Sequence, residues 1–258
     1  MTKADDPREA GADEAMLAAA RVLALLDASQ HSLAALSLAV ELAEREGVEL
    51  VALYVEDQDL LHSVAFPFAR EIGAVSGLAR RLTTPQLEAS LARQAQRVAR
   101  ALEGAVAGRE LRHSLRISRG RVISEALSIA GPGDVMLLGR SGVTSGWGGA
   151  LGSTSRGLIL SAPCPVVIWD DQGIPVAPGP LRVLADPRQG EAGLIPGPLA
   201  ALFDTLEPIP RSDAATLARR LAVCRNGALL LHRGELETLL GEDPDWLLRL
   251  TIPLVVVP

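Results

Sequence analysis

Short apolar runs alternate with stretches of helical spacing through the first two thirds of the chain. "ARVLALLD" (Ala20–Asp27) is an apolar run ending at an acidic turn, the form of a strand buried on both faces. "SLAALSLAVELAEREG" then repeats apolar residues at helical spacing and stops at Gly47, and "VELVALYVED" (Val48–Asp57) reads as a second strand. The Leu60–Leu82 region, with "FPFAREIG", fits neither period and stays unassigned. "PQLEASLARQAQRVARALEGAVAG" predicts a long amphipathic helix with Pro85 near its start. "LRHSLRIS", "DVMLLG" and "CPVVIW" predict three further strands, separated by helices at "RVISEALSIAG" and "STSRGLILSA". Strands alternating with helices, without tight hairpin signals, predict a doubly wound five-stranded parallel sheet with helices on both faces.

"DDQGIPVAPGP" (Asp170–Pro180) breaks this rhythm and reads as a linker. Beyond it the pattern restarts in reduced form. "LRVLADPR" pairs Asp186 with Asp27, "GALLLHRG" is similar to "VMLLGRSG", and "IPLVVVP" is similar to "CPVVIWD". The expected organisation is one α/β domain over residues 18–172 and a compressed second α/β copy over residues 180–258.

Composition narrows the picture. The chain of 258 residues is 48% hydrophobic but only 3% aromatic, so its core is aliphatic, as in helix-covered parallel sheets. A formal net charge of -6 gives no broad basic footprint for nucleic acid or for an anionic membrane. The stretch Met16–Leu26 is interrupted by Arg21 and too short to span a bilayer, and the acidic start lacks a signal-peptide pattern; a soluble, cytoplasmic protein is expected. Cys164 and Cys224 lie in separate apolar segments and read as buried thiols rather than a disulfide.

Candidate chemistry concentrates in "LLGRSGVTSGWGGALGSTS" (Leu137–Ser155), with six glycines between a predicted strand and a predicted helix. In open α/β sheets ligands bind outside the carboxyl ends of the strands, where the strand order switches. Bare backbone there lets N–H groups approach an anion, and the following helix start adds its positive dipole end. Ser153, Thr154 and Ser155 add hydroxyl donors, and Arg140 and Arg156 are candidate compensating charges. No Lys follows Gly152, so this is not a Walker A loop, and no paired carboxylates for Mg²⁺ or positioned general base are evident.

The spacing G-x2-G-x9-G-[ST] (Gly139, Gly142, Gly152, Ser153), with "LLDASQHSLAAL" upstream and "APCPVVI" downstream, resembles the nucleotide loop of the universal stress protein family. The resemblance covers roughly Ala20–Asp170, and the reduced second half is similar to that family's tandem-repeat members. It implies that the chain binds ATP or AMP, with or without Mg, in a regulatory or protective stress role. It implies that Asp27 lies near the adenosine and Val55 meets adenine. Leu138 and Gly139 would flank ribose and phosphates, and Gly142, Gly152, Ser153, Thr154 and Ser155 would hold the phosphate chain. It also implies pairing along the last strand of the sheet, within the chain or in a homodimer. Trp147, Gly148 and Gly149 depart from the family's loop. In the second half His232 stands where Gly139 would be, and no glycine run follows, so one nucleotide per chain is expected.

Plainer readings stand beside these. Asp27 caps the following turn as readily as it meets a ligand. Ser29 and His31 lie close to Asp27, but three residues in one turn do not form a nucleophile relay, which needs groups from separate elements. His62, His113 and His232 have no metal-like spacing. Binding with at most slow hydrolysis is the leading expectation; the rivals are a slow nucleotide hydrolase or transferase and a ligand-free interaction scaffold of the same fold.

Overall fold

The computed structural model describes residues 20–66, 68–73, 76–140, 152–169, 179–185, 199 and 202–258. Buried aliphatic runs form β1 (Arg21–Leu26), β2 (Glu49–Asp57), β6 (Val135–Gly139) and β7 (Val166–Trp169), and the largely exposed β5 (His113–Gly120) lies at the edge. Between them lie helices α1 (Gln30–Glu46), α2 (Gln58–Ser63), α3 (Thr84–Val106), α4 (Val122–Ile129) and α5 (Ser153–Ser161). α1 begins at the Ser29 N-cap, whose hydroxyl accepts from Ser32 N–H, and ends where Gly47 takes the left-handed conformation at φ 66°. All of these except α2 are elements that the apolar periodicity predicts, within two residues at most ends; α2 opens the stretch that the sequence leaves unassigned.

The five strands are parallel neighbours in the order β5-β2-β1-β6-β7, so strand order switches between β1 and β6. Leu23, Val51, Leu53, Met136 and Leu138 pack on α4 and α5, while Val22, Ala24, Leu50, Tyr54 and Leu137 pack on α1 and α3. Both faces of the inner strands are therefore covered, which is why β1, β2, β6 and β7 read as continuous apolar runs rather than alternating ones.

The sheet does not stop at β7. β8 (Pro180–Ala185), β9 (Thr205–Pro210), β10 (Ala228–His232) and β11 (Leu254–Val257) extend it to nine strands in the order β5-β2-β1-β6-β7-β11-β10-β8-β9. β11 runs antiparallel to β7 in the register Leu254–Ile168, Val255–Val167 and Val256–Val166. The expected five-stranded sheet and its compressed successor thus share one continuous sheet. α6 (Ala214–Leu221), α7 (Arg233–Glu242) and a 3-10 turn (Trp246–Arg249) cover this end, around the buried Trp246. β9 carries Pro208 and Pro210 and lies on the outer edge, where missing N–H donors cost no ladder bond.

The structure assigns the Leu60–Leu82 region, which the sequence pattern leaves open. β3 (Arg70–Ile72) and β4 (Ala79–Arg81) form an antiparallel hairpin outside the main sheet. Strands of three residues joined by six carry no periodicity and no two-residue turn signal. Its base is fixed by a small satellite core of Val64, Leu87 and Leu91, with Leu61 and Leu82 packed against it. No described helix is long and apolar enough to cross a membrane.

At the amino end of the sheet the Asp134 carboxylate is buried and held by Arg21, with Nε to Oδ1 at 3.1 Å and Nη2 to Oδ2 at 2.7 Å. Gly131 N–H adds a third donor at 2.8 Å. Arg21 is raised above its ordinary range, first by its hydrogen bond to Asp134. This pair ties β1 to the start of β6 at the end opposite the candidate site.

Candidate site at the switch point

β1 delivers Asp27 to the carboxyl edge of the sheet, beside the start of α1. Its Oδ1 accepts from Ser29 N–H at 2.9 Å, and its own N–H donates to Ser32 Oγ at 3.3 Å. Ala28 between them has φ 63°, a left-handed conformation that costs an alanine about 1 kcal/mol or more. The carboxylate shores up this turn, which is the capping role, and Asp27 itself is solvent-exposed. One oxygen engaged on an exposed carboxylate is compatible with a ligand contact as well.

Val55 is buried, one residue beyond the end of the β1–β2 ladder at Leu26–Tyr54, which places it level with Asp27. Its other neighbour is Ser118 on β5. Beside it, the Tyr54 hydroxyl donates to Gln94 Oε1 at 3.0 Å. Burial, followed by the charges of Glu56 and Asp27, pushes this phenol up to about 12. Leu138 is buried between Leu25 on β1 and Ile168 on β7, so its side chain belongs to the core and only its backbone reaches the neighbouring strands.

Gly139 has a cause that the sequence did not reveal. A Cβ there would lie 2.6 Å from both His31 C and Ser32 N. The absent side chain makes room for the chain's own first turn of α1, which lies against the end of β6. Whatever occupies the switch point therefore meets α1 and β6 as one packed corner.

Gly152 differs. It is the N-cap residue of α5 at φ -58°, a Cβ on it would meet nothing within 4 Å, and no side chain caps the helix. Ser153, Thr154 and Ser155 form the first turn beyond it, whose N–H groups have no intrahelical partner. The two glycines that frame the motif thus serve different ends: one admits a helix, the other opens a helix start to its surroundings. Gly142, Trp147, Gly148 and Gly149 lie outside the described residues.

Arg140 turns toward the second half. Its N–H donates to Trp169 O at 2.9 Å, and its guanidinium donates to the carbonyls of Leu247 and Leu250. It is a strut between β6 and the 3-10 turn, a role that no sequence pattern announces. In the second half α7 follows β10 without a loop. His232 N–H donates to Glu235 Oε2 at 2.9 Å, and Arg211 holds Oε1 of the same carboxylate at 2.5 Å. An internal anion thus sits at the start of α7.

Cys164 is buried and its thiol is pushed up to about 12, mainly by desolvation; Cys224 is only half-buried, against the sequence expectation. Among the described residues no three His, Cys, Asp or Glu side chains gather as a metal site.

A doubly wound α/β protein with a helix start opening beside its strand-order switch is the class that these features define. The model of the universal stress protein family matches residues 19–169, more than half of the chain, and the chain belongs to that family. Among solved structures, a universal stress protein from Archaeoglobus fulgidus DSM 4304 is similar over 93% of this chain and 98% of its own, at 13% identity and a TM-score of 0.57. UspA from Lactobacillus plantarum is 27% identical over 57% of this chain and 95% of its own, with a TM-score of 0.43. A universal stress protein in complex with cAMP covers 59% of this chain and 98% of its own at 15% identity and a TM-score of 0.40. No curated protein matches the sequence.

Proposed function

We propose that the chain binds one adenine nucleotide, ATP or AMP, at the carboxyl edge of β1 and β6, and that occupancy regulates a protective response to stress. The observation that carries this reading is the start of α5. Its first turn, Ser153 to Ser155, follows the strand beside the switch point, has no side-chain cap and has open space at Gly152. Backbone N–H groups, hydroxyls and the dipole end of a helix are what a phosphate chain requires, each dipole contact adding about 0.3–1 kcal/mol at an exposed site. Asp27 and Val55 stand level on neighbouring strands at the same edge, in position for the nucleoside. The choice of adenine rests on the family motif, as does the placing of Gly142.

On this reading residues 18–172 are the binding unit and residues 180–258 a degenerate copy without a site. The strands β9-β8-β10-β11 follow the order of β2-β1-β6-β7, which supports a duplication. The β7–β11 pairing then makes the chain a pseudo-dimer, and the Glu235 carboxylate fills the anion position that a second phosphate would need. Binding with at most slow hydrolysis is favoured, because Asp27, Ser29 and His31 lie in one turn. A cytoplasmic location belongs to the same proposal. Thermal melting with and without Mg-ATP tests it: at 100-fold excess over Kd binding adds about 2.7 kcal/mol. No shift at millimolar ATP favours the ligand-free scaffold, and steady turnover lost in Asp27→Ala favours the hydrolase.

A further inference from the structure

The β3–β4 hairpin is exposed at every paired position, so it projects from the body rather than packing on it. Four large apolar side chains stand out on it and its approach: Phe66 at 56% exposure, Phe68 at 77%, Ile72 at 71% and Leu78 at 66%. Two of the chain's three phenylalanines are spent here, stacked at 5.6 Å between ring centroids. Elsewhere among the described residues the exposed large apolar side chains are scattered, such as Ile117, Leu206, Val223 and Leu248, each in a different part of the fold. Scattered apolar side chains are ordinary on a surface, whereas a cluster on a projection is not.

Charge distinguishes the hairpin as well. Between Val64 and Thr83 the chain carries Arg70, Arg80 and Arg81 against Glu71 alone, although the whole chain has a net charge of -6. Arg70 faces Arg81 across the ladder, beside the Ile72–Ala79 pair, so positive and apolar groups share one face. The other face carries the Glu71–Arg80 pair at 3.2 Å. The satellite core beneath, Val64 with Leu87 and Leu91, holds this projection on α3.

We propose that the hairpin is a peripheral docking element for an anionic lipid surface. Phe66, Phe68, Ile72 and Leu78 enter the boundary between headgroups and acyl chains, and the arginines remain at headgroup level against the lipid phosphates. A second copy of this chain is the weaker occupant. It would bring another arginine-rich hairpin, and among the described residues the other exposed apolar side chains form no matching cluster. The expectation of no membrane contact came from net charge, which averages over the surface and hides a local basic patch. This inference rests on the hairpin alone and not on the nucleotide site.

Flotation of the full chain with vesicles tests it, using phosphatidylcholine alone and phosphatidylcholine mixed with phosphatidylserine. The chain should float with the mixed vesicles and not with phosphatidylcholine, and added salt should release it. Phe66→Ser with Phe68→Ser should abolish flotation. Arg80→Gln with Arg81→Gln should weaken it about five-fold per arginine. All four residues are exposed, so both variants should keep the wild-type melting temperature. The proposal fails if the wild type does not float with the mixed vesicles, or if both variants float as it does. It fails equally if the same substitutions only dissociate a dimer in sedimentation, or only release a protein partner.

Discussion

Replacing Gly139 by alanine isolates the packing at the base of the candidate site. The new Cβ would stand 2.6 Å from His31 C and Ser32 N and 2.9 Å from His31 O. Carbon atoms in good contact lie about 3.5–4.0 Å apart, so roughly 1 Å of displacement is required. The obstructing atoms are backbone, and the turn they belong to is already held by the Ser29 cap, the Asp27 carboxylate and left-handed Ala28. Neither partner yields by rotating a side chain. Overpacking of this kind costs about 1–3 kcal/mol, which for a chain of this size lowers Tm by roughly 2–4 °C per kcal/mol. Differential scanning calorimetry of Gly139→Ala without ligand should therefore record a clear loss. Gly152→Ala, whose Cβ meets open space, should change Tm little beyond the few tenths to about 1 kcal/mol of a weaker N-cap. Equal melting of Gly139→Ala and wild type would refute the claim that α1 occupies the space above Gly139.

Gly152→Val should abolish the stabilisation by Mg-ATP while the ligand-free protein melts near wild type; a retained shift in calorimetry would remove backbone approach as the mechanism. Asp134→Ala leaves Arg21 without its buried partner and should cost about 3 kcal/mol in urea unfolding, the low end for a broken buried pair because the guanidinium is partly exposed. The chain's single tyrosine permits a clean ultraviolet titration. The Tyr54 phenol should ionise near pH 12 in the folded protein rather than near 10. Its folded value lies above its unfolded one, so the folded state binds more protons between about pH 10 and 12 and stability should fall as pH rises through that window. A midpoint near 10 would contradict the burial of the Tyr54 side chain.

The parallel half was legible because its inner strands are buried on both faces and its helices carry one apolar stripe, so "VLALL", "VMLLG" and "PVVIW" announce themselves. β9 was not, because "TLEPIP" is an exposed edge with two prolines, a pattern that argues against a strand anywhere else in a sheet. The hairpin at Arg70–Arg81 escaped notice because its exposed side chains follow no burial period. At the site, the positions of Asp27, Val55, Gly139 and Ser153 at one sheet edge followed from element order alone. What those residues touch did not. The reason for glycine at 139 is a contact with His31 and Ser32, and the anchoring of Arg140 on Leu247 and Leu250 joins residues more than a hundred positions apart. Such contacts depend on tertiary geometry, which local spacing does not encode.

The number of nucleotides held per chain tests the central claim most directly. Isothermal titration of the purified chain with Mg-ATP should saturate at one per chain, with wild-type heat lost in Gly152→Val. Absence of heat with any adenine nucleotide, or saturation at two per chain, would contradict a single site at the start of α5.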